Sequence, residues 1–183
     1  MKGTVTRAVL AFALAGGSVI LGFVPPASAV TAGQCKTFKG YATFNPPVPA
    51  TGSVKSKISV HGNLAGCSPS AKTGGSGVVT GTLTPTKGGN CKTTVQGGGT
   101  QKGTSTTRWK NGKFSKFSVT VKEGTGSLAK AETATITGRV TSGVFAGKLV
   151  SGQVKFTPAN SGACTTAPLK KVTFTQTKPF VLH

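Results

Sequence analysis

The feature that most limits what this chain can become is a sequence period of two. Residues 38 to 44 set Phe38, Gly40, Ala42 and Phe44 against Lys39, Tyr41 and Thr43. After a proline-rich turn, Val54, Ile58, Val60 and Leu64 run against Lys55, Lys57, Ser59 and His61. Such alternation is the mark of a strand with one face on a core and the other in water. The pattern returns at Val79 and Leu83, at Phe117, Val119 and Val121, and at Ala134, Ile136 and Val140 opposite Thr133, Thr135, Thr137 and Arg139. Val154 with Phe156 and Val172 with Phe174 complete it. No 3.6-residue apolar period persists, so helices are not expected.

Turn residues recur at intervals that predict roughly nine or ten short antiparallel strands. Two compact solutions exist, a sandwich and a closed up-and-down barrel. The sandwich is favoured, although glycines inside strands (Gly40, Gly62, Gly81, Gly138) also suit the bends of a small barrel. Pairing residues 117–123 with 132–138 sets Val121 across from Ala134 and Val119 across from Ile136, with both pairs on one face. Asn111-Gly112 predicts a tight type I′ hairpin, because that turn needs positive φ at both positions. Trp109 then faces Phe114, and Lys110 faces its like charge Lys113. Phe114 and Phe117 cannot share a face of one regular strand, so the hairpin holds a bulge or turns its aromatic pair away from the core.

The first 29 residues predict an export signal. Lys2 and Arg7 precede an apolar run from Ala8 to Val24, and Ala27-Ser28-Ala29 fits a small-residue cleavage pattern. A single domain over residues 30–183 remains. Its four cysteines, Cys35, Cys67, Cys91 and Cys164, predict two disulfides in an oxidising compartment. Cys35 with Cys67 at the open end of the first hairpin leaves Cys91 for Cys164, one of three possible connectivities. No two cysteines stand at C-x-x-C spacing and the histidines are His61 and His183, so no metal site is expected.

Charge bounds the partners. Lys2 and Arg7 fall within the leader, so 20 of the 22 basic residues remain, against Glu123 and Glu132 and no aspartate. The remaining chain is near +18, a field that attracts polyanions and weakens as salt rises. Only Arg108 and Arg139 are arginines, which predicts diffuse point-charge attraction rather than bidentate reading of particular phosphates or bases. The alternative is charge that only keeps an exported protein soluble. Arg108, Trp109, Lys110, Lys113, Phe114 and Lys116 interleave cations with stackable rings, as proteins that grip single-stranded nucleic acid or other anionic chains do. Lys39, Tyr41, Lys55 and Lys57, with His61, form a second candidate patch.

Catalysis has little to draw on. A Ser-His-Asp triad is impossible without aspartate. Glu123 and Glu132, facing each other at a loop end, could in principle cleave a glycosidic bond, but Lys122 and Lys130 offer them ordinary surface pairing. No enzyme activity and no cofactor are expected. The leading expectation is a non-enzymatic protein that engages anionic polymers such as envelope glycopolymer, anionic lipid or nucleic acid. The alternative is a carrier of a small apolar ligand in a pocket lined by Phe38, Phe44, Phe156 or Phe174.

The leader, GNLAGC at 62–67, NPPVPATG at 45–52 and TGRVTSGVFAGKLVSG at 137–152 together resemble a group of small secreted proteins of high-GC Gram-positive bacteria. The resemblance implies an extracellular or cell-envelope setting and carries over no functional residue.

Overall fold

The structure is a computed structural model that describes residues 31–95, 98–124, 132–160 and 162–183. The expected leader, residues 1–29, and Lys130 lie outside the described residues. Eight strands follow one another: β1 (Gly33–Val48), β2 (Lys57–Ser68), β3 (Ser76–Pro85), β4 (Thr100–Trp109), β5 (Phe114–Glu123), β6 (Glu132–Gly143), β7 (Leu149–Pro158) and β8 (Leu169–Leu182). Each pairs antiparallel with the next and β8 pairs back onto β1, which closes a barrel. A four-residue helix, Ser70–Thr73, sits in the β2–β3 connection.

Sequence spacing favoured a sandwich and counted nine or ten strands, and both are corrected. The strands are longer and fewer than turn residues suggested, because the proline turn at 46–47 lies inside the 16-residue β1 rather than after it. β1 and the 14-residue β8 are long enough to bridge the sheet's two ends. Closure leaves no strand edge unpaired, which a sandwich cannot achieve.

Glycines make the small bore possible. Gly40 and Gly62 are direct partners on the inward face of β1 and β2. A Cβ on Gly40 would lie 2.8 Å from the Phe174 ring, and one on Gly62 would lie 2.6 Å from Phe38. Their absence lets Phe38 and Phe174 meet in the interior at 4.9 Å between centroids.

The β5–β6 register is two residues from expectation. Val121 faces Ile136, Val119 faces Gly138 and Glu123 faces Ala134. A shift of two preserves which residues point inward, so the core assignment survives it.

The two ends of the barrel are tied differently. Cys35 joins Cys67 directly across β1 and β2, with Cα atoms 3.9 Å apart. Cys91 joins Cys164 at the opposite end, linking the β3–β4 connection to the β7–β8 connection.

Candidate functional site

The β4–β5 hairpin overturns the expected pairing of its aromatics. Its loop holds three residues, Lys110 to Gly112, and Trp109 N–H donates to Lys113 O at 2.8 Å. Gly112 alone in the loop takes positive φ, 81°, which matches a type I turn closed by a left-handed glycine. Arg108 rather than Trp109 therefore faces Phe114. A one-residue change of register reverses every side chain, so the rings part company. Trp109 points into the barrel and is 4% exposed, whereas Phe114 points out and is 43% exposed. The indole Nε1–H donates to Ser115 Oγ at 2.9 Å and the ring meets Phe145 edge-on. Trp109 therefore plugs the Cys35–Cys67 end and cannot belong to a surface grip. Lys110 and Lys113 are no longer opposed, and Asn111 Nδ2–H fastens the tip to Lys72 O at 2.9 Å.

The rest of that patch stays together on the outer wall. Arg108 and Phe114 are direct partners, Lys116 follows on the same face of β5, and Lys110 and Lys113 stand at the tip. Val78, 52% exposed, flanks Arg108 on β3. The second patch divides. Tyr41 and His61 are direct partners with stacked rings 5.2 Å apart, and Lys171 of β8, which no local sequence pattern groups with them, places its Nζ 4.1 Å from the Tyr41 ring centre. Lys39 stands beside them on β1. Lys55 and Lys57 instead sit at the Cys91–Cys164 end, with Lys57 about 13 Å along the strand from His61.

The two groups are linked by a row of outward residues paired across five strands: Lys39, Asn63, Val78, Arg108 and Phe114. Five of eight strands carry that row about half-way round the barrel. Between its ends the wall is mostly hydroxyl-bearing, and Ser59, His61, Thr80, Thr82, Thr104 and Thr106 line a shallow depression of about 330 Å³. A lipid-facing barrel would carry an apolar band here.

The acids lie on the other surface of the same sheet. Glu123 and Glu132 point inward at the Cys91–Cys164 end and are 8% and 4% exposed. The expected surface pairing of Glu123 with Lys122 is corrected, since consecutive strand residues point to opposite faces and Lys122 is on the outside. Glu123 Oε1 accepts a hydrogen bond from Gln101 Nε2–H. Among the described residues Glu123 Oε2 and both Glu132 carboxyl oxygens have no hydrogen-bond donor. Burial pushes the Glu123 carboxyl up to about 8, the Gln101 bond opposes this, and the nearby Glu132 charge adds to it. Burial raises the Glu132 carboxyl as well. The signal available in sequence was parity: Glu123 continues the inward series of Phe117, Val119 and Val121.

The barrel interior is not full. Two adjoining cavities of about 60 and 90 Å³ share Phe38, Val60, Leu83, Val121 and Ile136 in their walls. The larger is also lined by Phe44, Phe156, Phe174 and, as its one amide, Gln101. A hollow of about 600 Å³ with a mixed lining lies at the Cys91–Cys164 end among Ser53, Pro85, Thr86, Lys87, Asn90 and Thr100. Among the described residues no three His, Cys, Asp or Glu side chains cluster as a metal site would require, and no helix is long and apolar enough to cross a membrane.

Compared with known proteins, the chain matches no family model, no curated protein and no solved structure.

Proposed function

We propose that this protein is a secreted or envelope-associated, non-enzymatic binding protein that holds anionic polymers on its outer wall. One observation carries the reading: charge is segregated by the sheet. Every described lysine and arginine has its residue at least partly exposed, while the only two acidic residues in the chain are buried inside. No acidic side chain on the outside neutralises the field near +18. Cations stand around both ends of the barrel as well as on its wall, so attraction is spread over the molecule and does not depend on one patch. The Tyr41–His61–Lys171 and Arg108–Phe114–Lys116 groups add rings that can lie against sugars or bases.

The test is retention on an immobilised anionic polysaccharide, mixed-sequence single-stranded DNA, and vesicles with and without anionic lipid. Affinity should fall steeply between about 50 and 500 mM salt, with a log–log slope that counts the charges engaged. Retention that ignored salt would defeat the proposal, and the order among the three surfaces identifies the preferred polymer. A glycan-cleaving role for Glu123 and Glu132 would need both carboxyls open to a polymer chain, and both are enclosed.

A second reading is favoured by a separate observation. The larger interior cavity is bordered by Phe38, Phe44, Phe156 and Phe174 and is not filled by side chains. An apolar void of ~150 Å³ stays dry and takes up benzene, and this one, about 90 Å³, adjoins a second of about 60 Å³. In that reading the barrel interior carries a small ligand while the wall anchors the protein.

A further inference from the structure

The two glutamates are the least explained groups in the molecule. A buried carboxyl without a full set of partners is costly, and native structures seldom keep one without use. Here two occur together, in a chain that has no others. Glu123 stands two residues beyond Val121 on the inward face of β5, about 7 Å along the strand from a side chain that lines both cavities. Glu132 is the direct cross-strand partner of Phe156, another lining residue. Gln101 closes the connection, since it borders the larger cavity and donates to Glu123. The acid pair therefore adjoins one end of the apolar space, with Gln101 between them and neither glutamate in the cavity wall.

That end has a definite valence. Three carboxyl oxygens there lack a donor among the described residues: Glu123 Oε2, Glu132 Oε1 and Glu132 Oε2. A primary ammonium presents three N–H donors and no acceptor. Where the pair holds one proton, that O–H occupies one oxygen, the oxygens left over accept from the ammonium, and its charge neutralises the one negative charge that remains. An anionic head would be repelled by the pair, and a plain hydrocarbon would leave those oxygens unpaired.

We propose that the barrel interior binds a small amine, its apolar body between Phe38, Phe44, Phe156 and Phe174 and its ammonium head against Glu123 and Glu132. The inference rests on the second reading above, that the interior admits a small molecule, and adds the chemistry of the head group.

Benzylamine and toluene separate the two claims, since they share a ring and differ in the head. Both are titrated into the purified protein at neutral pH by calorimetry and by NMR shifts of the interior residues. The proposal expects benzylamine to bind at least tenfold more tightly than toluene. It also expects the ratio to fall towards one in Glu123→Gln and Glu132→Gln, whose near-isosteric side chains keep the interior's shape. Toluene binding as well as benzylamine to the unaltered protein would overturn the ammonium head and leave the carrier reading standing. An undiminished preference for benzylamine in both glutamine variants would overturn it equally. Failure of both ligands to bind would remove the carrier reading and this inference together, without touching polyanion retention on the wall. Because the first comparison uses the unaltered protein, a variant that does not fold leaves the test intact.

Discussion

The two ends of the barrel solve the same problem differently. At the Cys35–Cys67 end buried polar groups are matched: Trp109 Nε1–H donates to Ser115 Oγ, Ser115 Oγ–H to Val144 O, and Gln176 Nε2–H to Cys35 O and Lys36 O. Among the described residues only Gln176 Oε1 is left over there. At the Cys91–Cys164 end Ser56 Oγ and three carboxyl oxygens are left without partners among the described residues. A folding core gains from the first arrangement and loses from the second. The contrast marks one end as the part that holds the fold and the other as the part that spends stability on something else.

The largest effect that can break this comparison is expected at the indole. Trp109→Ala removes a buried ring and leaves a void, and costs about 3 to 5 kcal/mol in urea denaturation. If the loss were under about 1 kcal/mol, the Trp109 end would not be the stabilising one.

Next comes pH, which acts at the other end. The Glu123 carboxyl titrates near 4.5 when unfolded and near 8 when folded, so between those values the folded chain holds a proton that the unfolded chain has released. Its contribution is complete below about pH 4.5 and is lost as pH rises towards 8. The protein should be more stable at about pH 5 than at about pH 8.5, and Glu123→Gln should recover on the order of 3 kcal/mol at the higher pH. Thermal melts of both proteins across that range provide the check, and a glutamine variant with an unchanged pH slope would place the stability change elsewhere. Acid should do little harm besides, since only two side-chain carboxylates exist to be protonated.

The smallest effect is the sharpest control. Phe114→Ala changes a ring 43% exposed on the wall and should alter stability by no more than about 0.5 kcal/mol. It should still weaken binding to single-stranded DNA, by ~1 kcal/mol or more if a base stacks there. Equal binding with and without the ring would reduce that wall to its charges.

How much of this was legible follows from which quantities are local. Alternation around Phe38, Ile58, Val119 and Val154 identified strands and their buried faces, because side-chain direction in a strand depends only on parity. The hairpin at 109–114 defeated the same logic by one residue, since turn type sets register and Asn-Gly allows both a two-residue and a three-residue loop. Lys171 was invisible as a neighbour of Tyr41, because they meet only where the last strand closes on the first. The neighbouring Lys122 and Lys130 suggest surface pairing for Glu123 and Glu132, although the parity of both acids points inward.

By itself the sequence determined an all-β chain, the faces of most of its strands and a cationic excess, all properties of neighbouring residues and of simple totals. Only the tertiary structure decided that eight strands close into a barrel, that the indole is inside, and that acids and cations stand on opposite sides of one sheet. Those outcomes depend on ring closure and register, which join residues far apart in the chain and leave no mark in any short stretch of it.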